Sequence, residues 1–425
     1  MKILVVGNGG REHALAWKLL QSQRIQQIIC IPGNGGTATT PRCQNISLRV
    51  DDFEGIAKFA LVNGVSLVVV GPELPLSLGI TDYLQRQNLT VFGPNKAGAQ
   101  IEASKNWAKT LMQSAGIPTP EFRVFTDIEA ARSYIVDRGA PIVVKADGLA
   151  AGKGVTVAST LEEAIAAVES LFKNGFNTVV VEECVTGQEV SVLALTDGIS
   201  VRPLLPAQDH KRIGEGDTGP NTGGMGAFAP SPLVDSALMA RIEREILQPT
   251  VDALRNQGID YRGVLYAGLM ITPQGEPTVL EFNCRFGDPE TQAILPLLET
   301  PLEDLLLACT EQRLSQFPPI TWKPGAAACV VAAAKGYPGS YQKGDAIAGI
   351  EQAQEMGATV LSAGTQLKDE QLVTNGGRVL AVTATGDTLD EAIALAYRAL
   401  DCIQFEGIYY RKDIGHGIRR NTSLA

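Results

Sequence analysis

Apolar runs of four to six residues, each closed by glycine or proline, recur along the first hundred positions. Between them lie stretches whose apolar residues repeat every three to four positions. Short continuous apolar runs predict buried strands, and the 3.6-residue recurrence predicts helices with one face on a core. Strands are predicted at 2–6, 27–31, 65–70 and 89–92. Helices are predicted across the segment carrying Leu15, Leu19 and Leu20, over 53–62 and over 77–87. Strands alternating with helices imply a parallel sheet covered on both faces, and this unit closes near Gly93-Pro94-Asn95.

A helix follows over 104–114 and stops before Gly116-Ile117-Pro118. Strands come next at 141–145, 155–157 and 178–182, the last two separated by a helix over 160–172. Residues 207–232 are so rich in Gly, Pro, Asp and Asn that they read as one long loop. A loop of that length in a compact domain is functional or disordered. A long amphipathic helix at 236–256, strands at 264–271 and 278–282, and a helix over 294–313 lead to a boundary at 318–324. The last unit has strands near 327–333 and 378–385 and a helix near 389–400.

With 425 residues, the chain has room for three domains at about 150 residues each. Its longest apolar run, 326–334, has nine residues, where a membrane helix needs about 20. The first residues break at Gly7 before they reach the length of a signal peptide. Forty-six acidic against 36 basic residues give a net charge of -10, which argues against nonspecific nucleic-acid binding. Seven cysteines without a C-x-x-C spacing read as buried thiols in a reducing compartment. Three histidines are too few for a His-rich metal site, which leaves a carboxylate site for Mg2+ or Mn2+.

Five segments carry chemistry. Gly7-Asn8-Gly9-Gly10-Arg11-Glu12 joins a strand to a helix, where backbone N–H groups and the helix end favour an anion. The dinucleotide fingerprint needs glycine at the sixth position. Glu12 stands there, which disfavours a nicotinamide dehydrogenase. The turn is either an anion cradle at Gly9 and Gly10 or a plain tight turn. Gly71-Pro72-Glu73 ends a second strand on the same carboxyl edge, where open α/β sheets bind ligands. Glu73 there suits ribose hydroxyls, or is a solvated loop acid.

The segment from Lys145 through Asp147, Gly148, Gly152, Lys153 and Gly154 sets a lysine at a strand end before a small-residue loop. It is not a Walker loop, because Gly154 replaces the Ser or Thr that holds magnesium and a strand follows. Such a loop can still close over a triphosphate while its lysines neutralise it. Opposite charges at about 4 Å are worth about 4 kcal/mol at an effective dielectric of about 20. The strand 178–182 runs into Cys184-Val185 and Gly187-Gln188-Glu189, offering backbone groups to an adenine edge and an acid to ribose.

In the segment 281–292, Glu281 and Asn283 alternate with Leu280 and Phe282 and so share one strand face. Two oxygen donors suit a hard cation that keeps its other positions for water and phosphate. Arg285 lies on that face if the strand continues, and can fork onto a carboxylate or phosphoryl group; a surface ion-pair network is the plainer alternative. Asp209-His210-Lys211-Arg212 and Gly219–Gly226 set charges beside small residues, which suits a pocket for a small zwitterion or a solvated loop.

Together these segments resemble the ATP-grasp superfamily, and within it the phosphoribosylamine–glycine ligase (glycinamide ribonucleotide synthetase) family. GNGGREHALAW, VVKADGLAAGKGV, DHKR, GPNTGGMGAF, EFNCRFGDPETQ and the closing Ile408–Gly415 segment carry the likeness over nearly the whole chain. The resemblance implies an α/β and α+β multidomain fold: a parallel α/β domain at 1–103, a two-lobed ATP-grasp unit at 104–325 with a mobile lobe near 120–190, and a small α+β domain at 326–425. It implies ATP held by Lys105, Lys145, Asp147, Gly148, Gly152, Lys153 and Gly154, with Glu182, Val185 and Glu189 at adenine and ribose. Glu281 and Asn283 would bind Mg2+ or Mn2+. The substrates would meet Gly9, Gly10, Glu73, Asp209, Lys211, Asn221, Thr222, Gly223, Arg285 and Asp288, with Arg285, Lys145 and Lys153 acting in catalysis. One departure from the wider superfamily stands out: the preceding strand, 264–269, brings no metal-binding carboxylate.

The implied reaction joins glycine to 5-phosphoribosylamine with ATP, through glycyl phosphate, in cytoplasmic de novo purine synthesis. The expected partners are these small molecules, with no nucleic acid and no membrane. The chain would be a monomer, with at most a transient contact to the enzyme that makes the amine. A sister ATP-grasp carboxylase would share the ATP residues but not RFGDPETQ. A non-catalytic nucleotide-binding module would have lost Lys145, Glu281, Asn283 or Arg285, and all four are present.

Overall fold

Five parallel strands open the structure, a computed structural model that describes residues 1–149 and 154–416. Their order is Cys43–Asn45, Gln27–Pro32, Lys2–Gly7, Leu67–Val70, Val91–Phe92. Alternation along Lys2–Gly7 sends Ile3 and Val5 into one core with Leu15 and Leu19. Leu4 and Val6 go into another with Ile56 and Ile80. Both faces are therefore covered, as the continuous apolar runs require. The helix expected over 77–87 is two helices, Glu73–Leu78 and Ile80–Arg86. They are divided at Gly79, whose φ of 94° lies where L side chains are disfavoured. The helix Gly35–Thr39 and the edge strand Cys43–Asn45 carry too few apolar residues to show in the hydrophobic pattern.

The linker helix Lys105–Ser114, capped by Ser104, leads into two antiparallel sheets. The smaller has the order Phe122–Phe125, Val179–Glu183, Ile142–Ala146, Val155–Ala158. Helices Ile128–Arg138 and Leu161–Lys173 cover it, and Ile135, Val144, Val168 and Val181 form a core of its own. The larger has the order Val201–Pro203, Gln188–Asp197, Arg262–Ile271, Pro277–Asn283. One of its faces (Val190, Leu265, Ala267, Val279, Phe282) shares a core with the N-terminal sheet. The 236–256 helix contains a π turn at Glu243–Leu247 just before Pro249, which has no N–H to continue the regular ladder.

Three expectations are corrected. The stretch 207–232 is not one loop: it contains strands Gln208–Asp209, Arg212–Gly214, Thr218–Asn221 and Gly226–Ala229. Gly226–Ala229 pairs with Ala326–Ala333, Ala227 opposite Cys329, so the last sheet is hydrogen-bonded across the division drawn at 325/326. The 294–313 helix is instead Glu290–Ile294, a 3-10 turn Leu295–Leu297 and Leu302–Thr310. Pro301 disfavours helical geometry at Thr300 and imposes the break. All seven cysteines are free, but Cys43, Cys184 and Cys402 are partly exposed, since each lies at an element edge or in a connection rather than a core. No helix among the described residues is long and apolar enough to cross a membrane.

Candidate active site

The strand Ile142–Ala146 is flanked on both sides, so Lys145 at its end is buried. A buried ammonium needs partners. Lys145 Nζ lies 2.9 Å from Glu182 Oε2 and donates to the Leu280 carbonyl at 3.0 Å. That second bond ties the smaller lobe to the strand Pro277–Asn283, one residue from Glu281. Lys109, from the linker helix, also reaches Glu182 at 2.9 Å and donates to Thr119 at 2.7 Å. Glu182 was expected at adenine and ribose, yet its Oε2 is committed to two lysines; only Oε1 is without a partner. Lys109 was not foreseen. Its spacing of four from Lys105 puts both on one helix face, which was the available signal. Burial lowers the Lys109 ammonium to about 8, against the pull of Glu182.

Lys105 donates to the Gly148 carbonyl at 3.1 Å. Asp147, expected at ATP, accepts from Ser104 Oγ at 3.0 Å and the Asn106 N–H at 3.2 Å. It latches the start of the glycine loop to the linker helix. Gly148 has φ 127°, where L side chains are disfavoured, and a Cβ there would meet the Phe176 ring at 4.0 Å. Gly152 and Lys153 lie outside the described residues; Gly154 begins the return into Val155–Ala158. Val185 and Glu189 flank the entry to Gln188–Asp197, and Glu189 is paired with Lys211 at 2.5 Å.

Glu281 and Asn283 share one face of their strand, opposite Gly268 and Tyr266. Burial alone would push the Glu281 carboxyl up. Lys211, Lys145, Lys105 and Arg285 outweigh burial and hold it below the usual range. Asn283 Oδ1 accepts from Arg285 Nη2 at 3.2 Å. One ionised carboxylate and one amide oxygen fit a divalent ion that takes its remaining ligands from water and phosphate. Opposite Glu281 stands Gly268, so the neighbouring strand adds no carboxylate there. No group of three or more His, Cys, Asp or Glu among the described residues makes a protein-only metal cage.

Arg285 lies just past the strand end, 2.9 Å from Glu102 and 3.4 Å from Glu73. Burial opposes the Arg285 charge, but Glu102 and Glu73 reverse that and hold it protonated. Burial raises Glu102 despite Arg285, and the Cys284 N–H donates to it at 2.8 Å. Glu73 is held low: burial pushes it up, and Arg285 and Arg11 more than compensate. Glu102 has no motif around it and was missed. The structure thus brings together Glu73, expected at ribose hydroxyls, and Arg285, expected at a carboxylate or phosphoryl group.

At the glycine turn, expected as an anion cradle or a plain tight turn, the contacts come from within the chain. Gly9 N–H donates to Glu12 Oε2 at 2.6 Å, and Arg11 Nε meets Glu12 Oε1 at 2.5 Å. A Cβ at Gly7, Gly9 or Gly71 would come within 2.5, 2.8 or 2.0 Å of Glu12. The carboxylate of Glu12 thus lies at this helix end, and Gly9 makes room for it. At Gly10 a Cβ would meet Gln292 Nε2 at 2.7 Å. Asp288 sits beside this turn, 3.2 Å from Arg378, which was also missed because it is far away in sequence. Burial raises the Asp288 carboxyl; Arg378 and Arg11 overcome this and hold it low.

Asp209 and Lys211 lie at the base of the hairpin Arg212–Gly214/Thr218–Asn221. Loss of water pushes the Asp209 carboxyl up to about 7; Lys211 opposes this, while Glu290 and Glu189 add to it. Glu290 itself is gripped by Tyr266 at 2.5 Å and Ser191 at 3.2 Å. Asn221 ends the second hairpin strand opposite Arg212. Thr222 and Gly223, expected at substrate, are bound internally. Thr222 Oγ1 donates to the Lys211 carbonyl at 2.8 Å, and Gly223 N–H donates to the Tyr337 hydroxyl at 3.0 Å. Short polar groups in this hairpin satisfy its backbone first.

A lysine from the smaller lobe thus lies beside an ionised acid on a strand of the larger one, the arrangement that the resemblance to the ATP-grasp superfamily implies. Family models of the phosphoribosylglycinamide synthetase N domain, ATP-grasp (A) domain and C domain match residues 1–102, 103–291 and 327–417. The chain belongs to the phosphoribosylglycinamide synthetase family. It is 66% identical over 423 residues to the phosphoribosylamine–glycine ligase of Nostoc sp., covering 98% of this chain and 100% of that one. It is 58% identical to the corresponding ligase of Synechocystis sp., covering 98% and 99%. The crystal structure of phosphoribosylamine–glycine ligase from Thermotoga maritima superposes with a TM-score of 0.84 at 35% identity, covering 97% of this chain and 100% of that one. A biotin carboxylase domain from Hydrogenobacter thermophilus shares the fold at 15% identity, with a TM-score of 0.72 over 96% and 91% of the two chains.

Proposed function

We propose that this chain is an ADP-forming ligase that joins glycine to 5-phosphoribosylamine, giving glycinamide ribonucleotide, ADP and phosphate in purine biosynthesis. The observation that supports this most is whole-chain membership of the family combined with the bond from Lys145 to the backbone beside Glu281. A carboxylate is a poor electrophile, because an oxide does not leave. Transfer of the γ-phosphoryl group to glycine gives glycyl phosphate, from which phosphate departs. Lys145, Lys105 and Lys153 offset charge on the phosphoryl oxygens. Glu281 and Asn283 would hold Mg2+ or Mn2+, which when bound neutralises triphosphate charge. Asp209 receives the glycine ammonium and Arg285 its carboxylate, while Glu73, paired to Arg285, takes the ribose of the amine. The amine then attacks the acyl carbon. Closure of the lobe near 120–190, within an ATP-grasp unit at 104–325, keeps water from the acyl phosphate. We take the enzyme to act as a cytoplasmic monomer.

The test is ADP release with each substrate omitted in turn, together with glycine labelled with 18O in its carboxylate. ADP release should require glycine, and one label should pass to phosphate. Glycine-independent release would favour a different acceptor, and unlabelled phosphate would remove the acyl-phosphate step.

A further inference from the structure

The closing segment 408–415 has no part in the chemistry above, yet it grips the hairpin that begins directly after Lys211, three residues past Asp209 of the strand Gln208–Asp209. Arg411 is the largest fully buried side chain among the described residues. It forks onto Asp413 at 2.7 and 2.6 Å. Its remaining Nη1 donates to Asp217 at 2.7 Å, near the hairpin tip, and to the Arg212 carbonyl at 3.0 Å, next to Lys211. Asp413 in turn accepts the Gly216 N–H at 2.8 Å, and the Tyr409 hydroxyl donates to the Ile213 carbonyl at 2.7 Å. The segment is itself anchored, since Tyr409 bridges Ala333 and the Arg411 carbonyl accepts from Tyr397 at 2.8 Å. The hairpin's own strands have only three and four residues; besides this segment it is held at its base by Thr222 on the Lys211 carbonyl and by Arg212 on the Gly219 carbonyl.

We infer that this segment is a strap whose Arg411 and Tyr409 are positioning residues, setting the hairpin base so that Asp209 meets the amino-acid substrate's ammonium. The inference rests on the reading of Asp209 as that ammonium site. It makes the C-terminal domain a determinant of amino-acid binding rather than of nucleotide binding.

The experiment uses the full chain, with ADP release measured against glycine and, separately, against ATP. Arg411→Met should raise the glycine KM about tenfold through misplacement of Asp209. Tyr409→Phe, which removes one hydroxyl, should raise it about threefold. The ATP KM should stay within about twofold in both, which general loosening of the fold would not produce. A glycine KM unchanged in both variants, each with a parent-like thermal transition, overturns the strap. If Arg411→Met does not fold, Tyr409→Phe decides alone. Asp209→Asn separates the two readings. A glycine KM raised by Asp209→Asn but not by the strap variants removes the strap and keeps the ammonium site. A KM unchanged by Asp209→Asn removes the ammonium site and the strap with it.

Discussion

At the scale of single residues, the charge around Glu281 decides what the site can hold. Four cations keep its carboxyl ionised despite burial. Glu281→Ala should lower turnover more than about a hundredfold at saturating ATP and metal, and Asn283→Ala about tenfold, with unchanged circular dichroism. A parent-like rate in Glu281→Ala contradicts the metal assignment. Asp209 yields a pH prediction. Its carboxyl is raised to about 7 by loss of water and by Glu290 and Glu189, against Lys211. Between about 4 and 7 the folded chain holds a proton that the unfolded chain has lost, so this group's contribution to stability falls as pH rises through that window. An ammonium ligand favours the ionised form, so glycine should bind more tightly as pH rises to about 7 and level off above it. Asp209→Asn should flatten that part of the glycine KM profile; an equally steep profile would assign the titration elsewhere.

At the scale of elements, the linker helix joins both lobes. Its cap, Ser104, accepts the Trp107 N–H at 3.1 Å and donates to Asp147 at 3.0 Å. One turn on, Lys109 and Lys145 hold Glu182 where all three are almost without solvent. Glu182 is the shared partner of two buried lysines, so Glu182→Gln leaves both without that counter-charge and should cost about 3 kcal/mol or more in urea unfolding. A cost below about 1 kcal/mol would mean the group relaxes or hydrates, as exposed pairs do. Ser104→Ala should cost about 1 kcal/mol as a lost cap and should raise the ATP KM, because it also frees Asp147. A stability loss without a change in that KM would confine Ser104 to the helix end.

At the scale of the molecule, the C-terminal domain is not an appendage. Ala326–Ala333 lies between Gly226–Ala229 and Arg378–Gly386 in one sheet, and Arg378 reaches Asp288 beside the glycine turn. A chain ending at residue 325 would leave the edge of Gly226–Ala229 unpaired, and such an edge templates aggregation. That fragment should elute as aggregate in size-exclusion chromatography and lose glycine-dependent ADP release. A monomeric fragment with the parent's glycine KM would show that the sheet tolerates division.

How much was legible from residues alone follows from the range of the forces involved. Period and punctuation are local, so helices 53–62 and 389–400 were located to the residue. The shared face of Glu281 and Asn283 followed from strand alternation. The elements that escaped, such as Arg212–Gly214 and Thr218–Asn221, are polar and gain their stability from partners nearly two hundred residues away. The same limit applies to side chains. Glu182 and Asp147 belong to the right motifs, but which groups they bind depends on Lys109 and Ser104, brought in by the linker helix. The glycines of the first turn announced close approach; that Glu12 of the same turn fills the space is a matter of side-chain packing. By itself the sequence determined where the strongly apolar elements lie, the kind of chemistry and the family, because these depend on residue type and spacing. Only the tertiary structure decided which charges neutralise each other, since burial and distance between remote segments set every one of those energies.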